Sequence, residues 1–149
     1  MQGMLRSKEE MTIPSSLNGV WSQRLLSILR IVASLLFLQH GSQKLFGFPP
    51  SDHPPVALWS LMGVAGILEF FGGLLILIGW FTRPAAFILS GQMAVAYFMV
   101  HAPRGLWTVK NGGEPAVLFC FIFLYLSLVG GGEWSLDRWF RRSKDIQQG

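Results

Sequence analysis

Two charges stand where the chain is otherwise apolar. Arg30 lies inside the stretch 24–46 and Glu69 inside 58–80, each the one charge in the interior of its stretch. Ionisable groups in such surroundings are costly and turn toward the interior of a helical bundle. At 3.6 residues per turn Ala65, Gly66, Gly72 and Gly73 share a face with Glu69, and Ser27, Ser34, Gly41 and Lys44 share one with Arg30. Small residues of this kind let two helices approach closely. A short connection makes the two stretches antiparallel neighbours. With their ends aligned, Arg30 stands roughly 9 Å along the axis from Glu69, a gap an extended guanidinium covers. The expectation is an Arg30–Glu69 charge pair. It either holds helix register, since breaking a buried pair costs about 3–5 kcal/mol, or forms part of a working site.

A second polar group gathers at the other end of the same helices: His40, Lys44, Tyr97, His101 and Glu114. Tyr97 and His101 are i, i+4 neighbours, and His40 and His101 fall at similar depth. The expectation is one outer pocket lined by these five. Such a group sets hydrogen-bond donors and proton carriers around an apolar slot. The matched histidines would allow a bis-histidine haem, but no CxxCH or clustered His/Cys spacing supports haem or another metal. Asn111, Gly112 and Gly113 form a turn-rich loop ahead of Glu114-Pro115, where a carboxylate meets the positive end of a helix. Capping is the simpler reading of that loop. No phosphate-binding glycine motif, nucleophile elbow or HExxH occurs. Cys120, the single cysteine, sits among phenylalanines and reads as a small buried hydrophobe.

The elements that must position these residues follow from composition. The 149 residues are 51% hydrophobic and 13% charged, against about 25% charged in ordinary soluble domains. Such a chain has too few charges to wet a compact body. Residues 84–103 and 115–132 carry no Asp, Glu, Lys or Arg over 20 and 18 positions, and about 20 apolar residues cross a bilayer as a helix. With 24–46 and 58–80 this makes four helices and an all-α, transmembrane four-helix bundle. If the N-terminus is inside, inner segments hold eight Lys and Arg and outer ones three, which favours both termini in the cytoplasm. Residues 1–20 read as a flexible cytoplasmic tail, 21–132 as the membrane domain and 133–149 as an interfacial cytoplasmic tail that anchors through Trp134, Trp139, Phe140 and neighbouring arginines. The leader is long and mixed in charge, unlike a secretory signal. The net charge of +4 forms no stripe for nucleic acid.

Leu29-Arg30, His40-Gly41-Ser42-Gln43-Lys44-Leu45-Phe46-Gly47, Leu68-Glu69-Phe70-Phe71-Gly72-Gly73, Gly79-Trp80-Phe81-Thr82-Arg83, His101, Asn111-Gly112-Gly113-Glu114 and Gly132-Glu133-Trp134-Ser135-Leu136-Asp137 occur in that order. In this succession, over residues 22–140, the chain resembles the DoxX family of small bacterial four-helix membrane proteins. The resemblance implies an inner-membrane protein associated with thiosulfate:quinone oxidoreduction or with thiol and oxidative stress. Two classes of function follow. One is a quinone-interacting subunit of a redox complex, working with other subunits or as a homo-oligomer. The other is a non-catalytic scaffold or assembly factor for soluble redox enzymes. A small transporter using Glu69 is a third class and would need oligomerisation.

The expected topology is open to cysteine labelling with Cys120 replaced by Ala. Single cysteines at Ser51 and Thr108 should react with an impermeant reagent applied from outside, and one at Ser143 should not; the reverse pattern overturns it.

Overall fold

The computed structural model describes residues 15–50 and 56–147. Five helices carry the fold: α1 (Ser15–Phe46), α2 (Leu61–Ile78), α3 (Thr82–Arg104), α4 (Glu114–Val129) and α5 (Leu136–Gln147). A single turn, Thr108–Asn111, interrupts the loop before α4. Helix α2 widens into a π turn at Leu68–Gly72, and α3 passes through a second π turn, Tyr97–His101, into a tight 3₁₀ turn at Ala102–Arg104. Residues 15–20, expected in the tail, begin α1 instead; residues 1–14 lie outside the described residues.

Three helices are long and apolar enough to cross a membrane: Gly19–Phe46 within α1, α2 and α3. Helix α4 is equally apolar but has only 16 residues, because the charge-free run continues into Gly130–Gly132, where Gly130 leaves helical geometry with φ 88°. The outside of the molecule is apolar. Leu25, Phe87, Phe98, Phe121 and Leu128 are each more than 60% exposed, while Ser27, Arg30, Ser34 and Glu69 are at most 2% exposed. Such an arrangement suits lipid as solvent, and the chain is a membrane protein with several apolar spans.

Helices α1 to α4 each run antiparallel to the next. Helices α3 and α4 pack along most of their length, with the Ser90 hydroxyl donating to the Cys120 carbonyl at 2.8 Å. Phe37, Phe119 and Phe123 interlock where α1 meets α4, with ring centroids 4.8–5.8 Å apart. Helices α1 and α2 touch through their backbones at Gly41. A Cβ there would fall 2.5 Å from the Phe70 nitrogen, so this crossing requires glycine. Leu38 packs against Gly73 by the same register.

That register overturns the Arg30–Glu69 pair. With Gly41 opposite Phe70, Glu69 lies level with Ser42, twelve residues from Arg30, or about 18 Å at 1.5 Å per residue. Arg30 instead reaches the end of α2. Its guanidinium donates to the carbonyls of Ile76 at 2.5 Å, Leu77, Gly131 at 2.8 Å and Trp134 at 2.7 Å. Helix α2 ends at Gly79, which adopts φ 72°, and the last carbonyls of a helix lack intrahelical partners and carry partial negative charge. A cation satisfies them.

The segment after α4 is drawn into the same place. The Trp134 N–H donates to Ser27 Oγ at 3.0 Å and the Asp137 N–H to the Gly79 carbonyl at 2.9 Å. The two Asp137 carboxylate oxygens accept from the Phe81 and Thr82 N–H groups, both at 2.9 Å, capping the first turn of α3. No side chain of that helix caps it locally. The tail expected to begin at residue 133 is therefore built into the domain through Asp137. Beyond it Trp139 and Phe140 are exposed on α5.

Arg30→Met should lower stability by more than about 3 kcal/mol, the scale of a broken buried ionic contact. Combined with Glu69→Gln the losses should add to within about 0.5 kcal/mol, as for distant sites. Thermal unfolding of the four members of this cycle in detergent measures both; a coupling above about 1 kcal/mol would restore the direct pair.

Candidate functional site

Glu69 takes its ion-pair partner from the far end of α1. The Lys44 ammonium contacts Oε1, with the carboxylate 2% and the lysine side chain 24% exposed. Lysine's long stem lets its charge reach a group buried below its own backbone level. Gln92 on α3 completes the arrangement, its Nε2 donating to Glu69 Oε1 at 3.1 Å and to the Ala65 carbonyl at 3.2 Å. Sequence reasoning missed Gln92. The available signal was a lone amide within a charge-free run of 20 residues.

These side chains lie at the depth of a cleft between α2 and α3. The two helices are joined by the tight turn at 79–81, and Gly72 packs on Leu89. Farther along they stand apart, and Gln92 spans the gap. The cavity is about 570 Å³, within the range of small-molecule sites. Lys44, Glu69, Gln92, His40 and His101 line it, flanked by Leu61, Val64, Ile88, Val95 and Met99. Those five flanking residues are each at least 47% exposed, so the cleft opens onto the apolar exterior. Both π turns border it, one carrying Glu69 and the other His101; such turns are frequent at functional sites.

Of the five residues expected in one outer pocket, His40, Lys44 and His101 line this cleft. Tyr97 does not. Its ring stacks on His101 at 6.4 Å and its hydroxyl donates to the Leu106 carbonyl at 3.3 Å, supporting the histidine from behind. Glu114 is exposed in the first turn of α4 and borders a second cavity, also about 570 Å³, between α1 and α4. His40 borders both cavities, edge-on to Phe119 at 6.0 Å. The single pocket is thus divided, with His40 and Phe119 at the partition, because α1 and α4 touch at the phenylalanine cluster and little elsewhere.

The Asn111-Gly112-Gly113 loop holds His101. Asn111 is 3% exposed; its Nδ2 donates to the Gly105 carbonyl at 2.7 Å, its Oδ1 accepts from the Gly113 N–H at 2.7 Å, and its carbonyl faces His101 Nδ1 at 3.1 Å. Gly113 lies against His101 and Tyr97, where a Cβ would fall 2.8 Å from each. The loop therefore positions the imidazole, a role beyond helix capping.

The polar core of the cleft is incompletely satisfied. Among the described residues Glu69 Oε2, Gln92 Oε1 and Thr82 Oγ1 are buried with no hydrogen-bond partner. Two of the three belong to the cleft. A buried polar atom in this condition costs about 1–3 kcal/mol, a cost that functional sites tolerate and a ligand can relieve.

The chain is similar to proteins of several bacteria, two of them described as membrane proteins. An uncharacterized protein of Haemophilus influenzae is 43% identical over 77% of this chain and 90% of its own length. The inner membrane protein YqjF of Escherichia coli is 32% identical over 74% of this chain and 88% of its own. The uncharacterized membrane protein Rv3486 of Mycobacterium tuberculosis is 27% identical over 74% and 77%. No solved structure matches the chain. The DoxX family profile matches residues 25–102, a stretch that contains Arg30, Lys44, Glu69, Gln92 and His101, and on this match and these relatives the chain belongs to the DoxX family.

Proposed function

We propose that the chain is a quinone-interacting membrane subunit of a thiol, sulfur or oxidative-stress redox system in the bacterial inner membrane. The observation that carries this reading is the cleft between α2 and α3, which joins an apolar lateral opening to a deep Lys44–Glu69–Gln92 group. A membrane-dissolved quinone can enter from lipid, bury its ring among aliphatic side chains and place its oxygens beside charged and hydrogen-bonding groups. Lys44 and His40 can donate to a quinone oxygen, and Glu69 can exchange a proton with it. Within this proposal electrons come from a partner protein, and the chain binds, orients and shields the quinone.

The same reading gives α4 a full crossing. It runs antiparallel to α3, and its 16 residues are extended at one end by the Asn111 loop and at the other by Gly130–Gly132. Both termini then lie in the cytoplasm, with the Arg30 end inside and the Lys44 end outside. The exposed aromatics and arginines of α5 suit the inner headgroup layer.

Organic extraction of the protein purified in mild detergent should yield quinone. Val95→Trp, which blocks the mouth of the cleft from an exposed position, should remove at least nine-tenths of it with thermal stability unchanged. His101→Ala should weaken rebinding of added decylubiquinone by about tenfold, the scale of one lost polar contact. Protein that neither carries extractable quinone nor binds added decylubiquinone would instead fit the scaffold reading.

A further inference from the structure

The buried side-chain atoms of the cleft that lack a partner are both acceptors. Glu69 Oε1 is occupied by Lys44 and Gln92, leaving Oε2 buried without a donor. The Gln92 amide cannot turn to help. Its nitrogen faces the Ala65 carbonyl and the Glu69 carboxylate, both acceptors only, so its oxygen must point away from them, and that oxygen too is buried without a donor. His101 adds a third acceptor. Its Nδ1 lies 3.1 Å from the Asn111 carbonyl, which can only accept; Nδ1 therefore carries a ring proton, which in a neutral imidazole leaves the lone pair on Nε2. All three residues line the same cleft.

An oxidised quinone offers carbonyl oxygens, which are acceptors and leave these three atoms as they were. The reduced form offers two O–H donors. We propose that the cleft binds the hydroquinone in preference to the quinone, with its hydroxyls donating to Glu69 Oε2 and Gln92 Oε1 or to His101 Nε2. The inference rests on the quinone reading of this cleft and adds which redox form it favours. The quinone is not excluded, because the Lys44 ammonium, with a side chain 24% exposed, has further N–H groups to donate.

The experiment is anaerobic titration of the full-length protein in detergent with decylubiquinol and decylubiquinone, read by tryptophan fluorescence. A redox-inert pair, 4-nonylphenol and 4-nonylanisole, which differ in a single O–H, runs beside it. The quinol should bind at least tenfold more tightly than the quinone, which raises the midpoint potential of the bound two-electron couple by about 30 mV. The phenol should exceed its methyl ether by a similar factor. Gln92→Met should reduce both preferences below threefold. If that variant does not fold, the phenol and anisole comparison in the unaltered protein decides. Equal affinity for the two redox forms, or tighter quinone binding, overturns the preference and leaves the quinone site standing. Failure of every probe to bind overturns the inference together with the reading beneath it.

Discussion

The guanidinium of Arg30 is the point on which the fold is assembled. Four carbonyls converge on it, two from the end of α2 and two from the segment between α4 and α5. A buried charge is tolerable only when its hydrogen-bonding capacity is met, and helix ends in an apolar medium have surplus carbonyls. Each problem resolves the other. Because Arg30 belongs to α1, the contact ties three parts of the chain at one level. Ser27 and Asp137 extend the tie to the Trp134 backbone and to the first turn of α3.

Closure at that end makes openness at the other affordable. Helices α2 and α3 leave a tight turn in close contact and then separate, held across the gap by one glutamine. The separation borders a buried carboxylate that lipid could not accommodate alone. Lys44 and Gln92 neutralise and partly satisfy it without filling the space. The widened turns at Leu68–Gly72 and Tyr97–His101 set Glu69 and His101 at the border of that space, and buried Asn111 holds the imidazole in a defined tautomer. The result is a rigid, charge-compensated end opposite a polar but incompletely bonded cleft.

Two of the relatives carry names that say they are membrane proteins, and none says what it does. Chemical meaning comes from the site. An apolar opening, a deep ion pair and acceptors without donors define a ligand by what it must bring: a hydrophobic body and hydroxyl protons. Cys120, the single thiol, is engaged near Ser90 between α3 and α4 and stands apart from the cleft lining.

The sequence by itself determined the solvent, the apolar stretches and the two charges buried within them. Composition called for lipid, charge-free runs marked the apolar helices, and the cost of a charge in an apolar stretch singled out Arg30 and Glu69 before any contact was known. Ordered motifs also indicated the family. Partner choice belonged to tertiary structure. Helical periodicity states which face a residue occupies but says nothing about axial register between two helices, and the backbone contact at Gly41 sets α1 against α2 so that Glu69 meets Lys44 and Arg30 meets a helix end. Gln92, Asp137 and the division of the expected pocket were hidden for the same reason. One dimension does not say what a lone amide or a tail carboxylate will meet, and their bonds span 23 and about 55 positions of the chain, distances that only the packed helices bring to contact.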